Sequence, residues 1–526
     1  MSSATPQVIP TPLWEVNTRQ SSHRPATSGP RMMLMASVGL ILAITVMRAW
    51  VCWGNDAWVN HPAGVLIAMA SDLKQGVLYR PLYGTAGYGG TRYFPLYFVL
   101  HAAFMKLGMP VLLGAYLLSG AAMLALLAGT FYLLRTLGVA PWLAACCAGA
   151  VLAAGCAQYA VFSPHADGLA AALNIWGLAM IARPKRNPAT ILLSAALFAL
   201  AWSAKLTTVF GFAAAFVWLL GTGMPRMAWL LAGETCGGYL AVAAAMFFGS
   251  QGRFWEIFKA CASGGTSLME AAAGPFNMVM VAARLDPVVL SFGCLALVPL
   301  AQVVLSGRFF RSLPALLFVA TLAVTAFIYG TPGVNDNHLL DLQLASLLLI
   351  ATQLTDTSAA MQKQWGAAIL ALLVLAAALP ALRHFKNHDL RFHRHRFTQV
   401  LDVVGDLRRP ILAENPIVPV LAGQQPYISD PWMLRLLRTR MAGFGDPLLD
   451  GLRNQKFGAV VLCMADPNTD FGRRWFETTH FGPGFASALT ENYRLAAIVD
   501  DQKIYLPIER GAGQPAHATG TESKSQ

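Results

Sequence analysis

Acids, histidines and a few cations interrupt an otherwise apolar chain at three places, and their types suit proton transfer and anion binding. The longest interruption, Trp50–His101, contains Asp56, His61 and a Gly/Tyr-rich loop with Tyr88, Arg92 and Tyr93. The second is Ser163-Pro164-His165-Ala166-Asp167-Gly168, and the third Asn335-Asp336-Asn337-His338, with Asp341 one turn further on. Asp56 stands among Trp50, Trp53 and Trp58. Apolar neighbours raise a carboxylate's proton affinity, so Asp56 suits a general base that takes a proton from an attacking hydroxyl. An Asp turn beside an interfacial tryptophan belt is the plainer reading of the same residues. Asp167 suits a second base, an orienter of His165, or a helix N-cap. His61 and His165 suit contact with a phosphate or an acceptor, or equally a hydrogen-bonded structural place, and Asp336 and His338 are candidates for binding substrate.

Two cations complete the set. Lys205, in Trp202-Ser203-Ala204-Lys205-Leu206, lies at the end of an apolar stretch. It either snorkels to the surface or presents a point charge to a phosphate. Arg92 has the same two readings, and the Tyr88 and Tyr93 faces beside it suit sugar rings. The Asp and His mixture also suits a divalent metal, but no tight ligand spacing calls for one. No cofactor is therefore expected.

These groups need elements to hold them, and composition says which kind. Of 526 residues 56% are hydrophobic and only 12% charged, against roughly 25% charged in soluble domains. Several stretches reach the roughly 20 apolar residues that cross a hydrocarbon core. The formal charge of +12 is scattered through short connections, which fits positive-inside topology and anionic lipids rather than nucleic acid. The eight cysteines contain no CxxC pair and lie in or beside apolar runs, so they are expected as small buried residues.

Residues 1–31 are rich in Ser, Thr and Pro and read as a disordered cytoplasmic tail. A first span from Met32 to about Trp50 follows. Further spans are expected near 111–134, 141–161, 168–182, 189–204, 206–222, 227–248, 287–306, 313–329, 338–354 and 365–381, about eleven in all. Every second connection is basic: Arg135, then Arg183, Lys185 and Arg186, then Arg226, then Arg308 and Arg311, then Lys363. The alternate short connections, Ser163–Asp167 and Thr331–Asn337, carry no Lys or Arg. That alternation places the N-terminus inside and the three polar clusters together outside.

The chain is thus expected to be a polytopic α-helical membrane protein, with a transmembrane domain over 32–384 and a long outer loop over 53–110. An outer α/β domain is expected over 385–508. In it ILAENPIVPVLAG and FGAVVLCM read as buried strands, and YRLAAIVD with KIYLPI as a closing pair. DPWMLRLLRTR and DPLLDGLRNQK read as helices opened by Asp-Pro. Residues 509–526 read as a disordered tail.

The order of these features resembles the C-type (GT-C fold) integral-membrane glycosyltransferases, the group that holds protein O-mannosyltransferases and aminoarabinose and lipopolysaccharide-core sugar transferases. The resemblance rests on an acid early in the first outer loop, an amphipathic segment ending in Gly76-Val77-Leu78-Tyr79, and Phe94-Pro95-Leu96-Tyr97. Asp167-Gly168, Lys205 and the C-terminal domain extend it. It implies a polyprenyl-phosphate-linked sugar donor, a lipid, glycan or protein acceptor, and transfer on the outer face, in a bacterium the periplasmic side of the inner membrane. It also implies Asp56 as base, Asp167 as second-loop acid and Lys205 as the lipid-phosphate contact. Family members often open the amphipathic helix with an Asp-Glu or similar acid pair where this chain has His61-Pro62, so either the base has moved to Asp56, or His61 takes its place, or this member is not an active transferase. The competing classes are a transporter of lipid-linked glycans and a non-catalytic scaffold. Transporters bring polar groups to mid-membrane in repeated, broken helices, whereas here the charges gather at one face.

Overall fold

The computed structural model describes residues 29–509 apart from 263–266, 332, 358–359, 406–407 and 464. The two tails expected to be disordered lie outside the described residues, save that Gly29, Pro30 and Arg31 already belong to the first helix and Glu509 is described.

Among the described residues six helices are long and apolar enough to cross a membrane: Gly29–Asn55, Val111–Thr136, Pro225–Gly249, Pro287–Leu305, Asp336–Asp356 and a last one from Met361. Four shorter apolar helices, Asp167–Ile181, Pro188–Ala204, Phe210–Gly221 and Leu313–Ile328, pack among them. The segment expected as one span over 141–161 is instead two pieces, Pro141–Ala153 and Gly155–Phe162, bent by 79°. The break is held by the buried Asp286 carboxylate, which accepts from the Cys156 amide at 2.8 Å. A carboxylate at the amide-rich start of a helix is favourably placed. Two further helices, Arg253–Ala262 and Leu268–Leu285, lie in a stretch where no span was expected.

First and last spans pack together, so the bundle closes on itself, and Asp167–Ile181 sits between Val111–Thr136 and Pro188–Ala204. Its core is built from Leu, Ile, Phe and many Ala. Without water between them, membrane helices gain from the close approach small side chains permit.

The long loop forms a cap on one face of the bundle. Its helix His61–Lys74 is not amphipathic in effect: every residue from Ala63 to Ala70 is buried. The bundle lies on one side and the C-terminal domain on the other. Gly64 is required there, because a Cβ would collide with Asn415 Oδ1. Two strands, β1 (Tyr83–Gly84) and β2 (Gly87–Tyr88), form a hairpin, and the helix Pro95–Lys106 leads back to the bundle.

The last spanning helix continues to Asn387, slightly past the expected boundary. Beyond it lie β3 (Ile411–Ala413), β4 (Ala459–Leu462), β5 (Tyr493–Val499) and β6 (Gln502–Pro507), in the order β3-β4-β6-β5. β3 and β4 run parallel, with Ile411 opposite Ala459, while β4/β6 and β5/β6 are antiparallel. The first expected strand, ILAENPIVPVLAG, is cut to three residues. Asn415-Pro416 ends it, and Ile417–Leu421 turns into a short helix. The two Asp-Pro helices form at Pro431–Arg440 and Asp446–Arg453, the first capped by Asp430 through the Met433 amide at 3.1 Å.

Candidate functional site

The second and third polar clusters meet at the loop face of the bundle. Asp167 opens its helix there and is buried with three partners. Lys205, the residue that terminates Pro188–Ala204, forms an ion pair with Asp167 Oδ1, and His165 Nδ1 contacts Oδ2. Asn337 Nδ2 donates to the same Oδ2 at 3.0 Å. Lys205 does not snorkel: its side chain turns back into the bundle and is only 13% exposed. Such a pair repays the cost of taking charges out of water only when the remaining donors and acceptors are met, and His165 and Asn337 meet those of the carboxylate. Asp167 therefore acts as a fixed counter-charge.

His338 enters from the third cluster, within electrostatic reach of Lys205, Asp167, Arg92 and His165. Its Nδ1 is buried without a hydrogen-bond partner among the described residues. Asp341 lies below, where it feels Lys205 and Asp167. Asp336 stands to one side, beside Asp286, in a shared field with Tyr329. Its field also reaches Asp167.

Arg92 and Tyr93 link this cluster to a second layer. The Tyr93 ring stands 6.3 Å from His165, and Tyr159 lies 5.5 Å from the same imidazole. Arg92 is exposed and lies over the Trp432 ring at 4.5 Å. Its charge reaches both His338 and Asp430.

Asp430 faces His61. The His61 Nε2 stands 3.4 Å from Asp430 Oδ1. Burial opposes ionisation of Asp430, but the His61 contact and the Met433 amide outweigh it and hold the carboxyl below its usual range. On its other side the His61 ring lies 4.8 Å from His480. The His480 Nδ1 is 2.7 Å from Glu414 Oε1, which also accepts from Trp475 at 2.9 Å. Glu414 is fully buried. Burial works against its charge, yet the His480 hydrogen bond, Trp475 and the Cys463 amide hold it down to about 2. Desolvation dominates at His480 and lowers its affinity for a second proton.

Backbone pairing delivers Asp430 to this place. The Tyr88 amide donates to Tyr427 O at 2.8 Å and the Ser429 amide to Tyr88 O at 2.9 Å, a parallel bridge between loop and domain. Arg80 rivets the joint: it donates to Pro426 O at 2.8 Å, binds Ser429 Oγ, and lies 3.1 Å from Asp72. Tyr88, expected as a platform for sugar, is instead core: its ring packs on Tyr83, Tyr427 and Phe444.

Asp56 does not join the cluster. It sits just past the first helix with φ 57° and accepts from Tyr116 Oη at 2.7 Å, under the stacked rings of Tyr116 and Trp53. A short polar side chain tolerates this left-handed turn after a helix better than most residues do. Burial raises its carboxyl above the usual range, opposed by the Tyr116 hydrogen bond. Its nearby charges are Arg396 and His395, not Asp167 or Lys205. Of the apolar neighbours expected for it, Trp50 is exposed on the bundle surface and Trp58 donates to Asp389.

Sequence reasoning missed Asp430, His480 and Glu414. Asp430 had a signal, since Asp-Pro before a helix marks a buried cap as readily as a surface turn. His480 and Glu414 had none, because their chemistry depends on two distant segments meeting.

No family model and no curated protein sequence matches the chain. Solved structures do. ArnT from Cupriavidus metallidurans, in a crystal structure bound to undecaprenyl phosphate, aligns with a TM-score of 0.53 at 13% identity, over 91% of this chain and 100% of that one. The Archaeoglobus fulgidus oligosaccharyltransferase in the apo form aligns with a TM-score of 0.53 at 9% identity, over 89% of this chain and 73% of that one. The chain shares the GT-C fold with these multi-pass membrane proteins, and the likeness is one of fold.

Proposed function

We propose that the protein is a membrane glycosyltransferase that moves a sugar from a polyprenyl-phosphate-linked donor to an acceptor hydroxyl at the loop face. One observation carries this most: Lys205, Arg92, His165 and His338 converge on the edge of an apolar bundle with Asp167 as their compensating acid. Phosphate on a lipid tail needs such a place, cationic at the head and apolar below. The shared fold with a protein whose structure holds undecaprenyl phosphate adds support.

His61 takes the base's role. Asp430 faces Nε2 at 3.4 Å, which leaves the other nitrogen to accept the acceptor's hydroxyl proton. The freed oxygen attacks the anomeric carbon, the bond from that carbon to the phosphate oxygen breaks, and the electron pair leaves with the phosphate. Lys205 and Arg92 stabilise the charge that develops there, through positions fixed before reaction. Attack opposite the leaving group inverts the anomeric centre. Glu414 and His480 are positioning residues that brace His61 from behind.

Orientation follows from charge. The basic connections, Arg135, Arg183 to Arg186, Arg226, Arg308 to Arg311 and Lys363, alternate along the chain with the connections that carry the site. The positive-inside rule then puts the site on the extracytoplasmic side, in a bacterium the periplasmic face of the inner membrane.

Membranes containing the protein, supplied with a panel of radiolabelled polyprenyl-phosphate sugars and extracted membrane acceptors, test the proposal. Label is expected to pass to an acceptor and to stop doing so in Lys205→Met. Full transfer by a His61→Ala, Lys205→Met double variant would sink it.

A further inference from the structure

The last spanning helix ends in a histidine-rich run, with His384, His388, His393 and His395 within twelve residues, and the reaction proposed above uses none of them. We propose that His384, His388 and Asp389 form a binding site for a divalent transition ion of the zinc type, at the joint between the last span and the C-terminal domain.

Spacing and backbone bring the three together. Residues four apart on a helix share a face, and the His388 amide still bonds to His384 O at 2.8 Å, so the helical turn carries both rings. Their centroids lie 4.7 Å apart at 29°. Asp389 follows in a short 3-10 turn and aims its fully buried carboxylate at them. Its Oδ1 is 3.1 Å from His388 Nδ1 and 4.0 Å from His384 Nε2. All three ligand atoms lie within 4.8 Å of one another. Tetrahedral bonds of about 2.0–2.1 Å set ligands about 3.3 Å apart, and rotation of the two half-exposed rings closes that difference.

Hydrogen bonding alone accounts for Asp389 but not for His384, whose Nε2 stands beyond hydrogen-bond reach of Oδ1 and at a distance suited to sharing an ion with it. The carboxylate is held by outer partners as metal ligands are. Trp58 Nε1 donates to Oδ1 at 2.9 Å and Arg48 Nε to Oδ2 at 2.6 Å. The Trp58 ring, 5.2 Å from each imidazole, walls one side, while the exposed side leaves room for a water as further ligand. Two imidazoles and one carboxylate select zinc, nickel or copper over magnesium and calcium, which take oxygen ligands. Arg48 already balances the carboxylate, so affinity rests on the two imidazoles. Arg48, Trp58 and Asn55, which donates to Asp389 O at 2.6 Å, all come from the first span or the loop just after it. An ion here would stiffen the turn that Arg48, Asn55 and Trp58 already hold.

The test uses full-length protein in detergent, freed of any affinity tag and stripped with chelator. Zinc titrated by calorimetry is expected to bind one equivalent per chain and to raise the melting temperature, with magnesium and calcium doing neither. His384→Ala is expected to weaken zinc at least tenfold, and Trp58→Phe about tenfold through the lost outer hydrogen bond. His393→Ala leaves binding unchanged. Cobalt substitution gives a visible spectrum that tracks imidazole ligation and does not require altered stability. Absence of binding in the wild type, or zinc affinity and cobalt spectrum unchanged in His384→Ala, would overturn the proposal. These readouts are independent of sugar transfer.

Discussion

Asp56 and His61 lie five residues apart in one loop, and the fold sends them to opposite duties. Asp56 is folded under Tyr116 and Trp53, where it closes the first helix. His61 opens the next helix and turns toward Asp430, a residue 369 positions later in the chain. The acid looks like the better base when residue type alone is considered. The histidine has the better surroundings: a buried carboxylate to orient it, a second imidazole behind it, and a path through Arg92 and Tyr93 to the Asp167 cluster. Partners decide a titratable group's role more than its identity does.

Four experiments break or sharpen that contrast. The largest effect is expected from Lys205→Met, which strands a buried carboxylate. Removing one partner of such a pair costs about 3–5 kcal/mol, so melting temperature and transfer should both fall, whereas Lys205→Arg should retain the fold. His61→Ala and Asp430→Asn should each slow transfer by about 10²–10⁴-fold, the usual worth of a positioned base, with little change in melting temperature. Asp56→Asn, measured beside them, should keep most activity. The reverse pattern would return the base to Asp56.

Glu414 gives the third. Its carboxyl falls from the ordinary glutamate value of 4.5 in the unfolded chain to about 2 in the fold. Its contribution is therefore complete above pH 4.5 and is lost as pH drops through 2. A tenfold change in proton affinity between the two states corresponds to about 1.4 kcal/mol. Acid unfolding of the C-terminal domain, followed by tryptophan fluorescence, should be shallower between pH 4.5 and 2 in Glu414→Gln than in the wild type. Equal slopes would mean that Glu414 is not ionised in the fold. The smallest effect is expected from Gly64→Ala. The added methyl meets Asn415, and overpacking of this kind costs about 1–3 kcal/mol. Limited proteolysis should then reveal a loosened joint between loop and domain, with the bundle itself unchanged.

The membrane character was legible because it depends on apolar length, which each segment reports alone. Helices formed at every stretch expected to span, although 141–161 broke in two. That break was illegible because its cause, Asp286, lies more than a hundred residues away. Asp167, His165, Lys205 and His338 were legible as candidates, since ionisable residues at the edge of apolar runs are expensive and few. Tyr88 was misread for the opposite reason: an aromatic in a glycine-rich loop looks available until another domain covers it.

The sequence by itself determined the apolar helices, the single face on which charge gathers, and the presence of a small α/β domain after the last span. Periodicity and composition are local, and each was sufficient for its element. Tertiary structure alone decided which acid meets which histidine. It placed Asp430 beside His61 through one backbone bridge at Tyr88 and Ile428, and it set Asp56 apart under Tyr116. It also set Asp389, the neighbour of His384 and His388, against Arg48 of the first span and Trp58 just after it. Contacts between segments hundreds of residues apart leave no periodic trace in either segment, so only the folded chain could reveal them.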